Sequence, residues 1–86
     1  MYAIEFTRQA AKDLRNLPRP LLAQIHDKLQ AVAANPHGQH NNAKKRVGQP
    51  GFRLRIGDWR VVYELEDDRL VVLVVRIAPR GQVYKR

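Results

Sequence analysis

The chain has 86 residues, with 16 Lys and Arg against 8 Asp and Glu for a formal charge of +8, and it has no cysteine. A chain this short is expected to form one domain over residues 1–86, burying roughly 60% of its unfolded surface. The missing cysteines exclude a disulfide framework and thiolate chemistry, and no apolar run approaches the roughly 20 residues of a membrane span. The opening MYAIEFTRQAAKDL carries charge where a signal peptide needs an apolar core, so a cytoplasmic protein is expected. The basic excess is uneven, +2 over residues 1–43 and +6 over residues 44–86. That imbalance favours a polyanionic partner, nucleic acid first, with an acidic protein as a compatible second.

In chain order, Tyr2 to Phe6 alternates apolar and polar and predicts a short strand. Thr7 is placed to cap a helix over about Arg8 to Leu17, whose small apolar face is Ala10, Ala11, Leu14 and Leu17. Pro18 and Pro20 interrupt that helix and suit the first turn of a second one. Leu22, Ile25, Leu29 and Val32 recur at helical spacing up to the stop signal Asn35-Pro36. The stretch His37 to Pro50 is polar, rich in Gly and Asn, and reads as a loop.

The period then changes to two. Phe52, Leu54 and Ile56 alternate with Arg53 and Arg55. After Gly57-Asp58, Trp59, Val61, Tyr63 and Leu65 alternate with Arg60, Val62 and Glu64. A two-residue turn at Gly57-Asp58 would pair Ile56 with Trp59 and Arg55 with Arg60. Asp67-Asp68 makes the next turn. Leu70 to Ile77, apolar on both sides, predicts an interior strand that Ala78-Pro79-Arg80-Gly81 breaks, leaving a short tail. The order β-α-α-β-β-β predicts a two-layer α+β domain. In it the N-terminal strand and helical hairpin pack on a largely antiparallel four-stranded sheet, with the arginines on the open face.

Arg53, Arg55 and Arg60 form the central constellation. Like charges directly opposite each other destabilise a strand pair, whereas guanidinium forks suit phosphate oxygens and stay charged. The plain alternative is a solvated strand face, with Arg60 paired to Glu64. Arg80 can aim into the same groove from the end of the last strand. Tyr84, in the tail, can stack on a base or exchange protons, or merely anchor the tail. Lys44, Lys45 and Arg46 form a basic run suited to phosphate backbone. Arg76 is expected on the apolar face near Trp59, in a cation–π or edge contact. His37 and His40 sit on a loop with nothing to position them as an acid–base pair. No metal cluster, phosphate loop or dinucleotide fingerprint appears, so no cofactor is expected.

The segments FRLRIGDWRVVYEL and LVVLVVRIAPRGQVYKR, preceded by a strand and a helical hairpin ending in Asn-Pro, resemble the RelE toxins of the RelE/ParE toxin–antitoxin superfamily. The resemblance spans essentially the whole chain. It implies a ribosome-dependent endoribonuclease that cuts messenger RNA in the ribosomal A site by attack of a 2′-hydroxyl on the adjacent phosphate. The family's basic hairpin residues match Arg53, Arg55 and Arg60, its arginine after the last core strand matches Arg80, and its tail tyrosine matches Tyr84. These five are the implied catalytic residues, with Lys44, Lys45 and Arg46 as RNA or ribosome contacts and Glu64 as a spare proton acceptor. Many relatives have His where Pro79 stands, so a histidine mechanism there is unavailable. The implied partners are a cognate antitoxin, the ribosome and mRNA, with no membrane and a monomeric free toxin. Two alternatives share the fold: a ParE-like inhibitor of DNA gyrase without RNase activity, and a non-catalytic ribosome- or RNA-binding module.

Overall fold

A computed structural model describes residues 1–79. The elements are β1 (Ala3–Phe6), α1 (Arg8–Arg15), α2 (Arg19–Ala34), β2 (Ala43–Lys45), β3 (Phe52–Ile56), β4 (Trp59–Glu66) and β5 (Val71–Pro79). The sheet has five strands in the order β1-β5-β4-β3-β2, with β1 parallel to β5 and the other neighbours antiparallel. Four strands were expected. The fifth, β2, lies inside the polar stretch read as a loop. It is a three-residue edge strand that pairs on one side only, and its sequence AKK has no apolar alternation to betray it.

The helices cover one face. Ala10, Leu17, Ile25, Leu29, Val32 and Ala33 pack with Leu54, Ile56, Val61, Tyr63, Val72, Val74 and Ile77 in one buried cluster. Phe52 and Tyr63, paired across β3 and β4, stack at 5.3 Å and 14° at the end of that face. Pro18 caps α2 and Pro20 sits in its first turn, where a missing N–H costs nothing. No helix among the described residues is long and apolar enough to cross a membrane.

The junction of β1, α1 and β5 decides which residues reach the open face. The Thr7 backbone N–H donates to Val74 O at 2.9 Å, and its hydroxyl donates to Val75 O at 2.9 Å while accepting from Ala10 N at 3.1 Å. Val75 is the extra residue of a β-bulge: Val62 pairs with Arg76, but Tyr63 pairs with Val74. Beyond β1 the edge of β5 is closed by α1, where Asp13 accepts from Ile77 N at 2.8 Å. One extra residue reverses the alternation of everything after it. Val72, Val74 and then Ile77 therefore face the core, and Arg76 and Ala78 face away from it.

Arg76 therefore does not lie on the apolar face near Trp59 as expected. It shares the open face with the hairpin arginines, and its Nε lies 3.3 Å from Asp13 Oδ2.

Candidate nucleic-acid interface

The hairpin register is the one the turn dictates: Ile56 opposite Trp59, Arg55 opposite Arg60, Arg53 opposite Val62. Gly57 takes φ +58° in that turn, a conformation that suits glycine. On the other side of β3, Lys44 pairs with Arg53, and the Arg55 N–H donates to Asn42 O at 2.8 Å, extending the ladder one residue past β2. Side chains directly opposite share a face, so two rows cross the open face. One runs Asn42, Arg55, Arg60, Ala78, and the other Lys44, Arg53, Val62, Arg76.

Where the rows meet β2 and β3 the surface sinks into a depression of about 300 Å³, lined by Asn41, Asn42, Lys44, Arg53, Arg55 and Arg60. Four of the six are cations, and no carboxylate among the described residues lines it. Arg60 is only 8% exposed. Its Nη1 donates to Trp59 O at 3.1 Å, and among the described residues no carboxylate lies within ion-pair distance of it. Burying an ion without a counter-ion is costly. A site that keeps such a cation beside three others is set to hold an anion, and guanidinium forks select phosphate.

Four of the acidic side chains are committed elsewhere. Asp67 pairs with His37 at 2.7 Å, Arg69 bridges Glu5 and Glu66, and Asp13 holds Arg76. Glu64 faces Leu73 in the β4–β5 ladder and lies beside Gly51. Four residues of strand separate it from Arg60, roughly 13 Å. It pairs with no described residue, so the Arg60–Glu64 pair offered with the solvated-face alternative does not form among the described residues.

The basic run of the β2 region divides. Lys44 lines the depression. Lys45 pairs with Phe52 and so faces the opposite side of the sheet. Arg46 turns back on its own loop, with Nη1 on Pro50 O at 3.5 Å and Nη2 on the Gln49 side-chain oxygen. Arg80 and Tyr84 lie outside the described residues. His37 and His40 are fixed to Asp67 and to Asn35 O at 2.7 and 2.8 Å, which makes them loop anchors. Tyr63 has its phenol pushed up by burial.

Sequence reasoning passed over Asn41 and Asn42 and placed Arg76 on the wrong face. Continuing the alternation of the arginine face backwards from Lys44 would have reached Asn42. Nothing in the sequence marks the bulge that brings Arg76 round.

The profile of the ParE toxins of type II toxin–antitoxin systems (parDE) matches residues 4–84. The chain belongs to this toxin family. Among its relatives are the toxin RelG of Mycobacterium tuberculosis, 30% identical with 99% of this chain and 98% of the relative covered, and the mRNA interferase toxin RelE of Escherichia coli, 28% identical with 96% and 90% covered. The toxin in the intact E. coli RelBE toxin–antitoxin complex superposes with a TM-score of 0.81 at 26% identity, covering 94% of this chain and 99% of that one. The isolated E. coli RelE toxin gives 0.80 at 26% identity, covering 98% and 92%. The toxin thus has the expected α+β fold, and its cationic depression is formed by the hairpin that carried the resemblance.

Proposed function

We propose that this toxin is an mRNA interferase that cuts RNA by attack of a ribose 2′-hydroxyl on the adjacent phosphate, and that a cognate antitoxin holds it inactive. One observation supports this reading above the others: a depression of four cations, one of them buried, with no carboxylate among the described residues that line it. In the reaction the 2′-hydroxyl gives up its proton and its oxygen bonds to phosphorus. The bond from phosphorus to the 5′-oxygen breaks, that oxygen takes a proton from water, and the products are a 2′,3′-cyclic phosphate and a 5′-hydroxyl. Negative charge grows on the phosphorane oxygens between these steps, and fixed cations hold it without reorganising. Arg60 supplies the buried charge, Arg55 faces it across the hairpin, and Arg53 and Lys44 hold the flanking backbone. The relatives named mRNA interferases support the same activity.

Arginine stays protonated and so does not serve as the base that takes the 2′-hydroxyl proton. We assign that step to Tyr84 of the tail as the candidate base, with Arg80 as a further candidate cation for the phosphate. Glu64 is the poorer candidate at its distance along β4. Action in the ribosomal A site supplies what this surface lacks, because the ribosome can align the 2′-oxygen in line with the leaving group. The partner of the antitoxin state is an acidic segment that covers the cationic face, and RelB–RelE complexes among the structural neighbours support such a pairing.

The test is to add the purified toxin to a translating extract and map RNA ends by primer extension with chemical typing of the termini. Cuts within codons bearing 5′-hydroxyl ends support the proposal. Intact mRNA together with gyrase-linked breaks in supercoiled DNA would transfer the protein to the gyrase inhibitors. Binding without either product would leave a non-catalytic module.

A further inference from the structure

We propose that Asn42 reads the edge of the nucleobase beside the bound phosphate and thereby sets the base preference of the toxin. The inference rests on the RNA-binding reading of the cationic face. Of the six side chains lining the depression, Lys44, Arg53, Arg55 and Arg60 only donate hydrogen bonds, and what they hold is phosphate, which carries no sequence. Asn41 and Asn42 are the two that both donate and accept. An amide matches the paired donor and acceptor on the edge of an unstacked base, which is how single-stranded RNA is read.

Asn42 is also built into place. The turn carrying it is closed by Ala43 N donating to His40 O at 3.0 Å, and the His40 ring is anchored on Asn35 O at 2.8 Å. Its own carbonyl accepts from Arg55 N at 2.8 Å, which sets it at the head of the row Asn42, Arg55, Arg60. Neighbouring strands lie about 4.8 Å apart. A phosphate over Arg55 and Arg60 therefore has Asn42 one strand away, on the edge of the sheet, where no further strand of the described residues obstructs a base.

Turn chemistry alone explains an Asx residue at these two positions, but it is met as well by Asp, Ser or Gly. It does not call for an uncharged amide at the end of a row of cations.

The experiment separates these explanations. Binding is measured by fluorescence anisotropy with short RNAs that differ in one base flanking the central phosphate and carry a 2′-deoxy sugar there, so that no turnover occurs. The wild type is expected to separate its best base from its worst by about tenfold. Asn42→Ser, which keeps the turn, should reduce that ratio to about twofold by weakening the preferred RNA about fivefold, while the affinity for the worst base and the slope of affinity against salt stay nearly unchanged. Arg55→Ala should instead weaken every RNA and lower the salt slope by about 1. A base preference that survives Asn42→Ser, or a wild type with no preference, overturns the inference. Failure of the cleavage reading would appear separately, as missing 5′-hydroxyl ends in the translating extract while the binding panel still resolves the bases.

Discussion

Replacing Arg60 by Met should make the toxin more stable and less able to bind RNA. Arg60 and Arg55 are directly opposed next to a two-residue turn, and the Arg55 N–H is turned outward to Asn42. They therefore form a non-hydrogen-bonded pair, the kind with Cα atoms about 4.5 Å apart. With charge centres about 6 Å apart and an effective dielectric between about 40 and 80, their repulsion is roughly 0.7–1.4 kcal/mol. Desolvation of a guanidinium that is 8% exposed adds about 2 kcal/mol to this. Against it stands one hydrogen bond to Trp59 O, worth about 1–2 kcal/mol net. Met keeps most of the buried aliphatic stem. The balance predicts a gain of about 1–2 kcal/mol, or roughly 5–10 °C in Tm for a domain of this size. Urea unfolding at low and high salt measures it, and the gain should shrink at high salt as the repulsion is screened. RNA affinity should fall at least about tenfold, the exchange of stability for function expected of a built site. A variant less stable than the wild type by more than about 1 kcal/mol would refute the reasoning, because Arg60 would then be a satisfied structural cation.

Three further outcomes are expected. Asp13→Ala strands the Ile77 N–H and frees Arg76, at a cost of about 2–3 kcal/mol in denaturant unfolding, whereas Asp13→Asn keeps an acceptor and costs about 1 kcal/mol. Gly51 has φ +94° and a Cβ there would lie 2.6 Å from Tyr63 O, so Gly51→Ala should cost roughly 2–4 kcal/mol. Gly48→Ala, at φ +73° in open space, should cost only about 1 kcal/mol by the same assay. Hydrogen bonds from Tyr2 and His37 hold the Asp67 carboxyl below its ordinary value, and the bond to Asp67 raises the Tyr2 phenol above its own. The Asp67 contribution is therefore present above the ordinary carboxylate range and lost as pH falls through the folded value. The Tyr2 contribution is present below the ordinary phenol range and lost as pH rises through its folded value. Stability-against-pH curves of Asp67→Asn and Tyr2→Phe should each flatten the corresponding limb, by a small amount because both groups are exposed.

Much of this was legible because local chemistry and tertiary packing agree. The Gly57-Asp58 turn and the period of two were enough for the register of β3 on β4, and so for the opposition of Arg55 and Arg60. Thr7 capped its helix as its side chain predicts, and the apolar run from Leu70 became an interior strand. Two things escaped for physical reasons. Strand β2 gains its structure by pairing with β3, not from its own residues, so Lys44 joined the site while Lys45 and Arg46 parted from it. The bulge at Val75 depends on Thr7 and Asp13, more than 60 residues away, satisfying the edge of β5. No window of local sequence contains that information, and it sent Arg76 to the opposite face from the one its position suggested.

Arg60, buried and without a carboxylate partner among the described residues, is held to stabilise with its neighbours the charge that develops on phosphate. The most direct measurement of this role is the single-turnover rate of mRNA cleavage on stalled ribosomes, at saturating toxin, for the wild type and Arg60→Ala. A loss of about 10²–10³ in the chemical step is expected, the scale of removing one preorganised donor, with 5′-hydroxyl ends in what product remains. Cleavage by Arg60→Ala at the wild-type rate would contradict it.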